Sequence, residues 1–215
     1  MPHPRRLERS AIVSATIDIL DERGLDELSL HAIAKRLDVA QPALYHHFPS
    51  KSALLDAAAA EVLDRWHTER LPRPGEPWQE FLTRNAVSFR RALLSVRDGA
   101  RLIAATGPRA PEPASALARI EFLEQQGFTA TQAVLAFIAV SRYVIGCALE
   151  QQLAPAQAII TGDQPPELQR LRQISEHLTR LGPDYEFEAG LHALLRGQPQ
   201  PFDPGTTARP PTTAA

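Results

Sequence analysis

One cysteine, Cys147, stands among 215 residues, so neither a disulfide framework nor a multi-cysteine zinc site is available, and a reducing compartment suits the chain. Aromatic residues are scarce at 6%, while Ala, Leu and Arg abound, which favours helices over strands. Neither sign of charge prevails. The net charge is -2, and within residues 1–51 seven basic side chains (Arg5, Arg6, Arg9, Arg23, Lys35, Arg36, Lys51) meet seven acidic ones (Glu8, Asp18, Asp21, Glu22, Asp26, Glu27, Asp38). Total charge therefore argues for no polyanionic partner, and any such case must rest on placement. The polar residues 1–9 carry no signal-peptide pattern. The most apolar stretch, residues 133–149, contains Ser141 and Arg142 and falls short of the roughly 20 residues of a bilayer span. It reads as a buried helix, and no membrane partner is expected. Also missing are G-x-S-x-G, H-E-x-x-H, P-loop and G-x-G-x-x-G patterns, and the seven His are scattered. No enzyme is expected.

What is present has helical spacing throughout and no strand period, so the fold class is all-α. Ile12, Ala15, Ile19 and Leu20 line a first helix that Gly24 stops. Ser29 caps a short second helix with Leu30, Ile33, Ala34 and Leu37 at i, i+3, i+4, i+7. Asp38 tolerates the left-handed conformation of a tight turn. Pro42 suits the first turn of a brief third helix that packs through Leu44 and Phe48 and ends at Pro49. Ser50 caps a long fourth helix carrying Leu54, Leu55, Ala58, Val62 and Trp66. Two proline-rich breaks, at Pro72, Pro74, Pro77 and at Pro108, Pro111, Pro113, bracket a helix over 78–94. Further helices are read over 114–127, 130–152, 167–181 and 184–196, with 154–166 as a loop. The domains are expected at 1–50, a helix-turn-helix head, and 51–197, a helical body whose residues 51–67 form a connecting helix. Residues 198–215 hold five prolines and almost no apolar side chains, and are expected to be a disordered tail.

A helix of about eight residues, a three-residue turn and a second short helix make either a DNA-reading unit or two packed helices of an ordinary bundle. Details favour the first. The third helix leaves Gln41, Ala43, Tyr45, His46 and His47 outward. Gln pairs with adenine in two hydrogen bonds, and Ala can touch a thymine methyl. Tyr45 and Lys51 are placed for phosphates. In the body, Trp78, Phe81, Leu82, Asn85 and Phe89 share one face, which puts an amide in an apolar stripe. Such an amide either bridges helices or faces a ligand. His67 and Glu150, each alone as readily structural, make three convergent polar groups in an apolar bundle, which fits a ligand pocket better.

The run Ala32-Ile33-Ala34, Val39, Pro42-Ala43-Leu44-Tyr45-His46-His47-Phe48-Pro49-Ser50-Lys51 and Leu54-Leu55 resembles the signature of the TetR family of transcriptional repressors. Similarity to its tetracycline-repressor-like branch continues through Leu63-Asp64-Arg65, Trp78-Gln79, Ser88-Phe89-Arg90, Arg97-Asp98-Gly99-Ala100 and Gln125-Gln126-Gly127-Phe128 to Glu150. The resemblance implies a ligand-responsive homodimer that binds a palindromic operator in double-stranded DNA and is released by a small-molecule inducer. The alternatives are a TetR-like activator or a true tetracycline-responsive repressor of an efflux gene. It implies a cytoplasmic protein, with the nucleoid when DNA-bound. His31, Gln41, Pro42, Ala43, Tyr45, His47 and Lys51 match DNA-contacting positions of the family, and Arg5 and Arg6 would reach phosphates. Ala43 replaces the family's Thr and His31 its Arg, so the operator can differ.

His67, Asn85, Phe89, Thr106, Pro108 and Glu150 match inducer-pocket positions. The departures lie among the same set. Ile103 stands where tetracycline-responsive members have a metal-ligating His, Gly107 where they have a contacting Arg (with Arg109 close by), and Arg119 where they have a contacting Gln. Ile103 and Arg119 are kept as ligand-lining positions, Glu150 as a metal ligand only if a magnesium-chelated tetracycline binds. No cofactor is expected otherwise. The helices over 130–152 and 184–196 are expected to form a four-helix bundle with the partner chain, with Leu191 at its interface.

Overall fold

Two serines set two of the helix starts. The Ser29 hydroxyl accepts from the Ala32 N–H at 3.1 Å and the Ser50 hydroxyl from the Ala53 N–H at 3.1 Å, each satisfying one of the free donors of a helix N-terminus. A computed structural model describes residues 7–106, 113–153 and 166–197. Its elements are α1 (Arg9–Arg23), α2 (Leu30–Arg36), α3 (Gln41–Tyr45), α4 (Lys51–Trp66), α5 (Trp78–Leu94), α6 (Gly99–Ala105), α7 (Pro113–Gln125), α8 (Ala130–Leu153) and α9 (Pro166–Arg196). There is no strand among the described residues. Arg5, Arg6, Gly107, Pro108, Arg109, the 154–165 part of the expected loop and the 198–215 tail lie outside them.

The first three helices enclose Ile12, Ile19, Leu20, Leu28, Ile33, Leu44 and Phe48, all buried. Asp38 turns the chain between α2 and α3 with φ 54. α4 packs on α1 and also on α5 and α6, so its buried Leu54, Ala58, Ala59 and Val62 join the core of the head to that of the body. In the body α5 lies against α8, which also meets α7, α6 and α9. Trp78 meets Phe128, and Phe81 meets Phe122, edge to face, at centroid separations of 5.1 and 5.3 Å.

Two features differ from the sequence expectations. α6 is a seven-residue helix that periodicity does not announce. Its start is made by tertiary contacts: the Gln152 side chain of α8 donates to the carbonyls of Leu93 and Val96 and accepts from the Ala100 N–H. The two expected C-terminal helices are both present within α9, separated by a break at Gly182 (φ 80) and Pro183. Finally, α8 spans 24 residues and is long and apolar enough, by length and composition, to cross a bilayer. The shortness of the 133–149 run is thus no argument. Instead the face Ala133, Ala136, Val140, Val144 and Ala148 is packed into the core.

Candidate nucleic-acid interface and ligand pocket

The reading surface begins with α3. Its N-terminal residues are Gln41 and Pro42, and its single buried residue is Leu44. Around that anchor Tyr45 and His46 are exposed, Gln41, Ala43 and His47 are half-buried, and His31 of α2 is exposed beside them in the sequence order of the motif. Arg9, not singled out from the sequence, supports this surface from α1. Its guanidinium donates to the His47 carbonyl at 2.8 Å and lies 4.0 Å from the centre of the Phe48 ring, which fixes the end of α3. The signal for it was only a third arginine after Arg5 and Arg6. Lys51 is exposed, but its Nζ donates to the Leu28 carbonyl at 2.6 Å, so in the free chain it ties the start of α4 to the loop before α2.

The even charge of the head resolves by position. Glu22 pairs with Arg36. Asp21 accepts from the Arg97 N–H at 2.9 Å, and Asp26 pairs with Arg101 at 2.7 Å. Asp98 of the body accepts from the Leu25 N–H at 2.8 Å and lies 3.4 Å from Arg101. Two acids of the head thus face the body, at the N-terminal end of α6. Gly24 lies in this seam with φ 84, and a Cβ there would come within 2.7 Å of Asp98.

The body brings His67, Asn85 and Phe89 together. His67 ends α4, its Nδ1 lies 3.2 Å from the Ser88 hydroxyl, and its ring lies against Phe89 at 5.3 Å. The same hydroxyl accepts from the Glu69 N–H at 3.2 Å, and the Asn85 amide donates to the Glu69 carbonyl at 2.9 Å. Asn85 therefore bridges α5 to the 67–69 segment as well as lying beside His67. Ser88, three residues on from Asn85 and so on the same helical face, is the member of this cluster that sequence reasoning missed. Burial, reinforced by the guanidinium groups of Arg70, Arg119 and Arg91, pushes the His67 imidazole down to about 4, and it is neutral at physiological pH.

Arg119 donates through Nε to the Ser115 carbonyl at 3.0 Å and lies 5.4 Å from the centre of the Phe137 ring. Ile103 is buried on α6, and the Thr106 hydroxyl donates to its carbonyl at 3.1 Å. Glu150 is exposed on α8 and takes no part in the His67–Ser88–Asn85 network, so the expected third convergent group is supplied by Ser88. Among the described residues no three His, Cys, Asp or Glu come together to hold an ion. With hydrocarbon at Ile103 and a lone exposed carboxylate at Glu150, the donor set does not fit magnesium, which needs a near-octahedral oxygen shell.

Comparison with known proteins agrees with both halves. Residues 71–199 match the sequence profile described as "Tetracyclin repressor-like, C-terminal domain", and residues 12–58 that of "Bacterial regulatory proteins, tetR family". The chain is 42% identical over 195 residues to the tetracycline repressor protein class A from transposon 1721 of Escherichia coli, covering 89% of this chain and 90% of that one. The structure of TetR from Acinetobacter baumannii AYE superposes with a TM-score of 0.77 at 42% identity, covering 89% of this chain and 96% of that one. TetR (class A) in complex with 5a,6-anhydrotetracycline and magnesium superposes at 0.69 with 38% identity, covering 89% and 98%.

Proposed function

The chain belongs to the tetR family of bacterial regulatory proteins, a transcriptional repressor with a DNA-binding head and a ligand-binding body, and we propose that it occupies a near-palindromic operator as a homodimer until an inducer that needs no magnesium displaces it. The family is one of regulators rather than enzymes, and we place this member in the cytoplasm. Its head comprises residues 1–50 and its body 51–197.

The observation that carries the DNA reading is the placement of charge and side chains on the head. Asp21 and Asp26 are engaged by the body, while His31, Tyr45, His46 and Lys51 stay exposed around α3. In the dimer two such surfaces enter successive major grooves about 34 Å apart. Gln41, Ala43 and His31 read base edges. Pro42, Tyr45 and His47 shape the contact, and Lys51, Arg5 and Arg6 neutralise phosphates.

The inducer lies among His67, Asn85, Phe89, Ile103, Thr106, Pro108 and Arg119, with Glu150 contributing from α8. A neutral imidazole and a buried amide orient it, and the aromatic and aliphatic groups bind its body. α6 connects this pocket to the head: Ile103 and Thr106 stand toward its end, while Asp98 and Arg101 at its start hold Leu25 and Asp26. An inducer that binds one position of α6 better than the other shifts the heads by that difference in affinity, and no more.

The donor set argues against a metal-chelated ligand. The class A relative holds 5a,6-anhydrotetracycline with magnesium, whereas this chain has Ile103 and an exposed Glu150. The test is operator release, followed by fluorescence anisotropy, on titrating tetracycline with magnesium and again with a chelator. Release that is weak and indifferent to magnesium is expected. Tight, magnesium-dependent release would overturn the metal-free reading.

A further inference from the structure

Positive charge gathers around His67, and among the described residues carboxylates match only part of it. The guanidinium groups of Arg70, Arg119 and Arg91 all act on the ring. Asp64 pairs with Arg70 at 2.8 Å, while Arg91 reaches the Thr68 hydroxyl at 3.3 Å and Arg119 the Ser115 carbonyl. Among the described residues no carboxylate pairs with Arg91 or Arg119. Arg70 has a second deficit. Its Nε donates to the His67 carbonyl and its Nη1 to Asp64, but its Nη2 is buried with no hydrogen-bond partner.

A buried N–H of a charged group left without an acceptor is costly, and a second cation nearby adds repulsion. Both costs are removed by one anion. Arg119 is half-buried, and burial together with Arg70 lowers its basicity, so the two cations feel each other. His67, neutral, brings no competing charge. The aromatic rings beside the cluster are Phe89, against His67, and Phe137, under Arg119. Such rings suit a flat apolar body attached to the charge.

We propose that the effector is an organic anion, an aromatic framework bearing one carboxylate, sulfonate or ionised enol, whose charge is held between Arg119 and Arg70. This rests on the reading of the His67–Asn85–Phe89 cluster as the effector site, and it specifies that ligand's charge. Arg119 is the specificity-determining residue, because its guanidinium offers the N–H groups of both Nη atoms to an oxyanion beyond the Nε that its own helix occupies.

The experiment uses the full-length dimer and two probes of one framework. 1-Anilinonaphthalene-8-sulfonate is an anion, and N-phenyl-1-naphthylamine lacks the sulfonate and is neutral. Their affinities are read from dye fluorescence, and operator release from anisotropy. The expected result is a preference for the sulfonate of about tenfold or more in the natural sequence. Arg119→Gln should abolish that preference by weakening the sulfonate far more than the neutral dye, and Arg119→Lys should retain part of it. The thermal melt and dye-free operator binding of each variant establish that it is folded. Arg70→Gln serves as the second variant should Arg119→Gln not fold. Equal affinity for the two dyes, with operator release by both, would overturn the anion proposal and leave the effector site standing. A preference that survives both Arg119→Gln and Arg70→Gln would also overturn it, placing the charge recognition elsewhere. If neither dye binds, or binding never releases the operator, the effector site itself is refuted and the proposal with it.

Discussion

Gln41 opens α3 with its side chain half-buried, and its amide is the group in the head best suited to read a base. Gln41→Ala should weaken operator binding by about 1–3 kcal/mol while leaving random-sequence DNA unaffected. Anisotropy on the two DNAs checks this, and an equal loss on both would reduce Gln41 to a scaffold residue. His67 makes a different prediction. Its imidazole, ordinarily near 6.5, is held at about 4 in the folded chain, first by burial and then by Arg70. Protonation is thus harder in the folded state than in the unfolded one. Above pH 6.5 the residue has no effect on stability, and as pH falls from 6.5 towards 4 the unfolded chain gains the proton and stability is lost, by at most roughly 3 kcal/mol per protomer. Melting temperature against pH should therefore fall more steeply in the natural sequence than in His67→Asn over that window. Parallel curves would show that the ring titrates freely. At this scale the sequence made Asn85 visible as an amide in an apolar stripe, with His67 as a polar group near the end of the fourth helix. It did not reveal that Ser88 joins them, because a hydroxyl on a helix is ordinarily unremarkable and only the folded 67–69 segment gives it partners.

At the scale of elements, α6 joins the two halves. Asp98 precedes it in the left-handed conformation, φ 55, which an aspartate tolerates better than most side chains. Gly99 follows where a Cβ would overlap the Leu93 carbonyl, so the corner between α5 and α6 admits no side chain. Asp98→Ala removes the acceptor of the Leu25 N–H, and should lower stability by about 1–3 kcal/mol. It should also change the inducer concentration needed for operator release. Calorimetry and release curves together test this. A destabilised variant with an unaltered release midpoint would show that the contact holds the fold but transmits nothing. In α9 helical spacing located both helices and the break between them, which falls at Gly182 and Pro183.

For the whole molecule the open question is which apolar surface meets the partner chain. Leu191, expected at that interface, is fully buried within its own protomer, as are Phe187 and Leu195. Leu191→Arg would therefore disrupt the body itself, since a charge would enter a packed core. Apart from Leu153 at its end, the exposed large apolar side chains of α8 are Val134, Leu135 and Ile138, with Leu135 57% exposed. These are the better candidates for the self-complementary face of a two-fold dimer. Leu135→Glu should give a folded monomer in sedimentation, with an unchanged protomer melt at low concentration and lost operator binding. A stable dimer in that variant would move the interface to another face.

Local sequence alone settled most of the helix starts and stops, because Ser29, Ser50, Asp38, Pro42 and Gly24 act through their own backbone neighbours. It also settled the all-α class and the reading helix, whose few packing residues leave the rest outward. Tertiary structure decided the remainder. Gln152, 52 residues from Ala100, makes the start of α6. Asp26 and Asp21 are turned from the reading surface by Arg101 and the Arg97 backbone, more than 70 residues away. The burial that neutralises His67 and the unmatched guanidinium groups beside it come from α5, α7 and the 67–70 segment meeting in space. Such effects depend on which groups lose water together, and only the packed chain determines that.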